Sequence, residues 1–139
     1  MRVRREMMDV IAEKFMFAYD DFDNVAATSA TVDLDYRGKN IYLLGVFARV
    51  ITAFVTGTAP QLKVGYPSYE DHLIQLQSIA KVGQLKSGGS PAQFFCEGMA
   101  HPTGQAERIK LTIQNDSGNL QDYTAGELEV VIVYAGLKV

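Results

Sequence analysis

The sequence has few of the residues that usually carry catalysis or bind metals. Its 139 residues include a single cysteine, Cys96, and two histidines, His72 and His101. One cysteine excludes an intrachain disulfide and a cysteine-rich zinc site, and neither histidine lies at ligand spacing from the other or from Cys96. We therefore expect no catalytic residue, no metal and no cofactor, and we interpret Cys96 as a small buried hydrophobe.

The sequence also lacks a basic field and an apolar run of membrane length. With 13 basic and 16 acidic residues its formal net charge is −3, which argues against specific nucleic-acid binding. The most apolar run, 41–55, is shorter than the roughly 20 residues of a membrane helix and contains Arg49. The basic start, "MRVRREMMDVIAEKF", has no apolar stretch of signal-peptide length behind it. We expect no membrane partner, and assembly in a cytoplasm.

Two groups of carboxylates have simpler explanations than chemistry. The segment "DDFDN" (20–24) starts like a calcium loop, but it lacks the central glycine and the glutamate at the twelfth position. Glu127 and Glu129 point to the same side of a predicted strand, where an exposed strand end explains them. We interpret the first group as a solvated turn and the second as the wet start of a strand.

What the sequence does contain is a series of strand-like segments separated by breaks rich in Gly, Pro and Asn. These segments are 31–36, 40–55, 61–66, 92–98, 107–116 and a final strand from 127. Such a series is typical of an all-β antiparallel sandwich or barrel. The 40–55 segment is apolar on both faces and longer than an ordinary strand, so we expect it to be buried and to bend near Gly45 or around Ala53.

Two segments depart from this pattern. Between 68 and 82, apolar residues recur every three positions, which indicates a short helix over 70–82, although a strand followed by a loop also fits. These residues are Leu73, Leu76, Ile79 and Val82. The N-terminal segment mixes helical and strand spacing, so we predict an arm over 1–13, helical or extended, and a strand that starts at residue 14. The rest, 14–139, is predicted to be a single β-sandwich domain.

The final strand has two unequal faces. One face carries Leu128, Val130, Ile132 and Tyr134, and the other carries Glu127, Glu129, Val131, Val133 and Ala135. A strand with one wet face should stay polar on that face to its end. We therefore predict that the apolar part of the second face is covered by an interface or by the N-terminal arm. Its residues are Val131, Val133 and Ala135.

The N-terminal arm is the other candidate docking element. Its basic residues are Arg2, Arg4 and Arg5, and its apolar residues are Met7, Met8 and Ile11. Arginine forms paired hydrogen bonds with carboxylates, and methionine adapts to irregular apolar surfaces. We predict that the arginines bind an acidic partner surface while the apolar residues fill a groove. A solvated tail is the simpler alternative.

Five stretches together resemble the decoration, or cement, proteins of tailed-bacteriophage heads. They are "ATSATVDLD" (27–35), "VITAFVTGTAPQLKVGYPS" (50–68), "AKVGQLKSGGSPAQFFCEGM" (80–99), "ERIKLTI" (107–113) and "TAGELEVVIVYAG" (124–136). The resemblance implies a jelly-roll β-sandwich without an active site, located on the exterior of the virion capsid. It implies two partners, the major capsid protein and further copies of the chain itself, as a homodimer or homotrimer.

Two other classes stay open. A phage tail or fibre module, or a head–tail connector, would also be rich in β-structure and free of catalytic residues. A cupin-like ligand-binding domain shares the architecture, but it needs clustered histidines and glutamates inside the barrel, and His72 and His101 alone do not supply them.

Overall fold

The strands that the sequence predicts are present, and two further strands lie at Tyr69–Ser78 and Gly83–Gln84. The computed structural model describes residues 2–3, 8–34, 41–55, 58–66, 69–86, 93–95 and 109–137. The strands in these ranges are β1 (Met8–Ala18), β2 (Ser29–Asp33), β3 (Ile41–Val55), β4 (Gln61–Tyr66), β5 (Tyr69–Ser78), β6 (Gly83–Gln84), β7 (Gln93–Phe95), β8 (Lys110–Gln114) and β9 (Ala125–Leu137). Two short 3₁₀ turns, Tyr19–Phe22 and Leu120–Asp122, lead from β1 and into β9.

The strands form two antiparallel sheets. The larger sheet has the order β1-β9-β3, and β6 and β7 both pair with the remaining edge of β3. The smaller sheet has the order β2-β8-β4-β5. Because β1, β3 and β9 alternate along the chain with the strands of the opposite sheet, the fold is a jelly roll. The predicted all-β, jelly-roll-like sandwich is confirmed.

The core lies between the two sheets. In β9, the file of alternate residues that includes Leu128 and Ile132 is fully buried. In the smaller sheet, the corresponding inward residues are Leu62, Val64, Leu111 and Ile113, which are also fully buried. Each such side chain stabilises the fold by about 1.5–3 kcal/mol relative to exposure, so this alternation determines which face of each strand points inward.

The long strand β3 bends where the sequence indicates. Its register against β9 shifts between Leu43 and Gly45, and again on both sides of Thr52. Each shift is a bulge that lets a 15-residue strand follow the twist of the sheet. The predicted bends near Gly45 and around Ala53 are confirmed.

A tyrosine closes the end of the sandwich at which β9 begins. The Tyr123 hydroxyl donates a hydrogen bond to Oδ1 of Asn115, whose Nδ2 donates in turn to the Gly118 carbonyl at 3.0 Å. Burial raises the pKa of Tyr123 to about 12, although the hydrogen bond to Asn115 acts in the lowering direction. The Tyr123 ring meets the Phe54 ring edge-on at 5.3 Å. This buried contact links the start of β9 to the end of β3.

Gly126 is required at this closure. Its φ is +148°, a conformation that side-chain-bearing residues rarely adopt, and a Cβ there would lie 2.4 Å from the Phe54 ring. The absence of a side chain at residue 126 therefore allows the Phe54 ring to pack against the β9 backbone.

The predicted helix over 70–82 is wrong. Residues Tyr69–Ser78 form β5, which pairs with β4, and the alternative of a strand followed by a loop is the correct one. The apolar spacing of three misled because the β4–β5 register shifts twice, which allows adjacent Leu73 and Ile74 both to be buried. Val82, the last residue of the supposed helical stripe, is 68% exposed.

The predicted boundary between arm and domain is also wrong. β1 begins at Met8 rather than at residue 14, and it pairs with β9 without a register shift from Met8 opposite Leu137 to Ala18 opposite Glu127. Residues 8–13 therefore belong to the larger sheet. The physical reason is that β9 is long enough to offer backbone partners to all eleven residues of β1, a non-local pairing that spacing along β1 cannot reveal.

Candidate interface on the outer face of the larger sheet

The outer face of the larger sheet consists of the side chains of β1, β9 and β3 that point away from the core. Because β9 pairs with β1 on one side and β3 on the other, these side chains form rows across three strands. From one end to the other, the rows are Val10–Ala135, then Ala12–Val133–Gly45, then Lys14–Val131–Phe47, then Met16–Glu129–Arg49, then Ala18–Glu127–Thr52.

One half of this face is polar. Glu129 accepts a hydrogen bond from Nε of Arg49 at 2.8 Å, and its carboxylate lies 3.9 Å from Nζ of Lys14. The Glu129 side chain is 14% exposed, whereas both cations are more than half exposed. Each such pair contributes at most about 1 kcal/mol, but together they keep this end of the face hydrated and locally ordered. We call Lys14, Arg49, Glu127 and Glu129 the polar half.

The other half is apolar. Val131, Val133 and Ala135 of β9 are half-buried. They are flanked by Val10, which is 68% exposed, and by Phe47, which is 43% exposed. We call the set Val10, Ala12, Phe47, Val131, Val133 and Ala135 the apolar half. The two-part character of the last strand is therefore a property of the whole outer face, since β1 and β3 extend it on both sides.

Phe47 is held in place by a glycine. The ring lies over Gly45, where an added Cβ would come within 2.8 Å of the ring carbon Cε2. Gly45 is at the first bulge of β3 and opposite Val133. The missing side chain leaves a depression that the phenylalanine ring covers, which places an exposed aromatic on the β3 side of the apolar half, beside Val131.

Only some of the residues predicted for arm docking lie within the described ranges. Arg2 is exposed, and Arg4, Arg5 and Met7 lie outside the described residues. The Met8 backbone opens β1, and Ile11 lies within β1 opposite Tyr134, on the inner side of the sheet. Met8 and Ile11 therefore belong to a paired strand rather than to a free arm, and their contact with a partner stays a prediction.

Sequence reasoning found the β9 part of the face but missed its neighbours. Val131, Val133 and Ala135 stood out because their alternation is visible within one segment. Phe47, Val10 and the Glu129 contacts did not, because they depend on which strands pair and in which register. The spacing of Gly45 and Phe47 shows only that both lie on the same face of their strand, and it does not reveal that Val133 and Val131 lie beside them.

The residues considered for chemistry have structural surroundings. Over the described ranges, no group of three or more His, Cys, Asp or Glu side chains could hold a metal ion. Cys96 and His101 lie outside those ranges, while the ring of His72 packs near that of Tyr66 at 5.7 Å. Asp20, Asp21 and Asp23 are exposed around a 3₁₀ turn, which confirms the solvated turn. No helix within the described part of the chain is long and apolar enough to span a membrane.

Comparisons with known proteins identify the fold. No protein-family model matches the sequence, and a comparison with curated proteins gives no match. Among solved structures, the chain is similar to a chain of the cyanophage Pam1 capsid asymmetric unit, with a TM-score of 0.66 and 14% identity. The alignment covers 98% of this chain and 94% of that one. The likeness thus extends over two whole chains of similar length, and at this identity it establishes the fold.

A chain from the cryo-EM structure of Mud crab tombus-like virus is also similar, at 14% identity over 99% of this chain and 84% of that chain. Its TM-score of 0.45 is too low to carry an argument. The fold of this protein is therefore a jelly roll of the kind found in a viral capsid chain, and its function must be argued from its own surface.

Proposed function

We propose that the protein is a non-enzymatic structural protein of a phage virion that binds the outside of the major capsid protein shell and stabilises it. The observation that carries the proposal is the apolar half of the outer face, on a chain whose fold matches a capsid chain over nearly its whole length. The sequence resemblance to decoration proteins supports the same conclusion.

The apolar half has the composition of an interface centre. Soluble monomers rarely expose contiguous apolar patches, and aromatic anchors surrounded by aliphatic residues are typical of binding hot spots. Phe47 supplies the aromatic, and Val131 and Val133 supply the adjoining aliphatic surface. The polar half then forms a hydrated rim, where charges contribute more to orientation than to affinity.

The N-terminal arm fits the same docking surface. Met8 pairs with Leu137 at the end of the sheet where the apolar half lies, so the residues before Met8 join the fold beside Val10 and Ala135. We expect Arg2, Arg4 and Arg5 to bind carboxylates on the shell when the apolar half is buried, because the chain enters β1 at this end of the sheet. We include residues 2–7 in the proposed docking surface for this reason.

Binding to bare heads, assembled from the major capsid protein of the same virus, tests the proposal. Phe47→Lys should lower affinity for the heads at least about tenfold, because it replaces the aromatic anchor of the apolar half with a charge. Thr31→Lys is the matched control, since Thr31 is exposed on the outer face of the smaller sheet; it should bind like the wild-type chain. Heat resistance of the decorated heads gives a second readout.

Two results would contradict this assignment. Equal occupancy by the Phe47→Lys and wild-type chains would exclude the outer face of the larger sheet as the docking surface. Binding to tails or portal rings, with none to heads, would favour the tail or connector class instead.

A deletion of residues 2–7 tests the arm separately. The truncated chain keeps β1 intact from Met8, so it should fold normally, yet it should occupy heads poorly at physiological salt because the arginine contacts are lost. Replacing the three arginines with lysines is the matched control for charge, since it keeps the charge and removes the paired hydrogen bonds. Full occupancy and full heat protection by the truncated chain would show that residues 2–7 are only a solvated tail.

A further inference from the structure

The four sheet edges of the sandwich differ in how open they are. In the larger sheet, the edge beside β3 is occupied by two short pieces, β6 with two residues and β7 with three. In the smaller sheet, β2 has five residues, and β5 is irregular because its register against β4 shifts twice. Short, interrupted or bulged edges are poor templates for another strand.

β1 is longer and more regular than the other three edges, and its protection is limited to the charges of Glu13 and Lys14 near its middle. It contains eleven residues without proline or glycine, and its pairing with β9 has no bulge. Within the described ranges, no strand pairs with its other edge. Alternate N–H and C=O groups along that edge therefore point away from β9, in the regular array that accepts an added strand.

Both sides of this edge strand carry apolar residues. On the outer side, Val10 is 68% exposed and Met16 is 45% exposed. On the inner side, Ile11 is 36% exposed and Phe15 and Phe17 are half-buried against the core. An added strand covers these side chains only if it too carries apolar residues on both faces. β1 itself has that pattern.

We infer that β1 pairs with β1 of a second copy of this chain, antiparallel and across a two-fold axis. Such an axis must run perpendicular to the sheet, so residues opposite one another must point to the same face. When Lys14 lies at the axis, opposite its own copy, three kinds of apolar pair form: Val10 meets Ala18, Ala12 meets Met16, and Ile11 meets Phe17. Glu13 then lies opposite Phe15, the one charged–apolar pair of this register between Val10 and Ala18.

The alternative registers are worse. An axis at Glu13 would place two carboxylates directly opposite each other, and an axis at Ala12 would place Asp9 against Phe15 and Ile11 against Glu13. The Lys14 register also opposes two like charges, but each Lys14 lies 3.9 Å from its own Glu129, which offsets the repulsion. The dimer joins the two larger sheets edge to edge, with both outer faces on the same side.

Sedimentation of the purified full-length chain, without heads, tests this inference independently of the proposed function. The wild-type chain should be a dimer. The double variant Ala12→Lys/Met16→Lys should raise the dimer dissociation constant at least about tenfold, because it lines the seam with lysines that face lysines. Phe47→Lys is the control, because Phe47 lies on β3, away from the seam, and should leave the dimer unchanged.

Two further readouts identify the contact as strand pairing. Hydrogen exchange of β1 should be slower in the wild-type dimer than in the lysine variant. In a Cys96→Ser background, Lys14→Cys should form an intermolecular disulfide on mild oxidation, because opposed Cα atoms in antiparallel strands are about 4.5–5.5 Å apart, within disulfide range. Thr31→Cys in the same background should stay uncrosslinked.

Three outcomes would overturn the inference. The first is a wild-type chain that stays monomeric at all concentrations. If β1 of such a monomer gains protection from hydrogen exchange only when it is bound to heads, the edge of β1 pairs with a strand of the shell instead. The second is a dimer that the lysine variant leaves intact. The third is a dimer in which Lys14→Cys does not cross-link.

Discussion

The two outer faces of the sandwich are built from the same kind of strand but present opposite surfaces. On the smaller sheet, Thr31 and Thr112 share a hydrogen bond between their hydroxyls at 3.1 Å. On the same sheet, Lys110 lies 3.0 Å from Asp33. Among the described residues of the larger sheet, comparable ion pairs lie in the polar half of the outer face. The apolar half instead exposes Phe47.

The difference shows that the apolar half is not a requirement of the strand pairing. Polar cross-strand pairs are compatible with either sheet, since both carry them in antiparallel registers of the same geometry. The fold itself does not require Val131, Val133 or Phe47 to be apolar, because their side chains point away from the core. The proposed docking to the shell accounts for them, and the outer face of the smaller sheet offers a comparison within the same molecule.

The largest expected effect is a loss of stability at the contact between Gly126 and the Phe54 ring, in the core between the two sheets. Gly126→Ala should lower the free energy of unfolding by about 3 kcal/mol, because the new methyl group would collide with the Phe54 ring at a φ of +148°. Urea unfolding followed by circular dichroism measures the change.

Gly83→Ala is the matched control for Gly126→Ala. Gly83 also has a positive φ, +141°, but nothing lies within 4 Å of an added Cβ. Its cost should be that of backbone strain alone, about 1 kcal/mol. Equal costs at the two positions would contradict the steric explanation for Gly126.

Next in size is the tyrosine closure beneath the start of β9. Tyr123→Phe should cost about 1–2 kcal/mol at neutral pH, because the buried Oδ1 of Asn115 loses its donor. The wild-type chain should lose stability between pH 10 and 12. The pKa of Tyr123 is raised to about 12 from 10.0 in the unfolded chain, so its contribution is complete below 10 and is lost as pH rises through 12.

The pH dependence separates this tyrosine from the others. Denaturant unfolding of Tyr123→Phe at pH 9 and pH 12 should show a smaller loss than the wild-type chain shows. An equally steep loss in the variant would mean that other groups cause the alkaline destabilisation.

Gly45, which lies beneath the Phe47 ring, should contribute less to stability than Gly126 but more to head binding. Gly45→Ala should cost less than about 1.5 kcal/mol, because the displaced Phe47 ring is 43% exposed and can swing outward. Head binding should nevertheless weaken about three- to tenfold, since the anchor is no longer flat on the sheet. Unchanged binding would show that the position of the ring over Gly45 is irrelevant to docking.

The smallest effects are expected for the ion pairs of the two faces. Glu129→Gln should cost about 0.5–1 kcal/mol, and Asp33→Asn about half as much, because the Glu129 side chain is 14% exposed and that of Asp33 is 53% exposed. Both costs should shrink in high salt. Thermal unfolding at two salt concentrations measures them, and a larger cost for Asp33→Asn would reverse the ranking of the two faces.

The sequence predicted what is encoded within single segments. The strand at 61–66 was predicted with the bounds it has, and the bends of β3 followed from its length and its glycine. Residues 8–13 of β1 and the whole of β5 were mispredicted, because their state depends on distant partners, β9 and β4. Leu73 and Ile74 are adjacent and both buried, which a strand allows only at a bulge. In the sequence, the resulting spacing of apolar residues resembles that of a helix.

The candidate interface divides in the same way. Alternation within the last strand was enough to predict Val131, Val133 and Ala135 as an interface face, which stays a prediction. Phe47 could not be added from sequence, because its place beside Val131 follows from the β3–β9 register after a bulge. Non-local register is therefore what sequence reasoning lacked.

The position of β9 has a consequence for how the protein is made. It is the last of the nine strands to leave the ribosome, yet it lies between β1 and β3 and completes both of their pairings. Until it emerges, β1 has no neighbour in its sheet, and the row that joins Val131 to Phe47 does not exist. The surface proposed to hold the shell thus forms only after β9 has been synthesised and has paired with both β1 and β3.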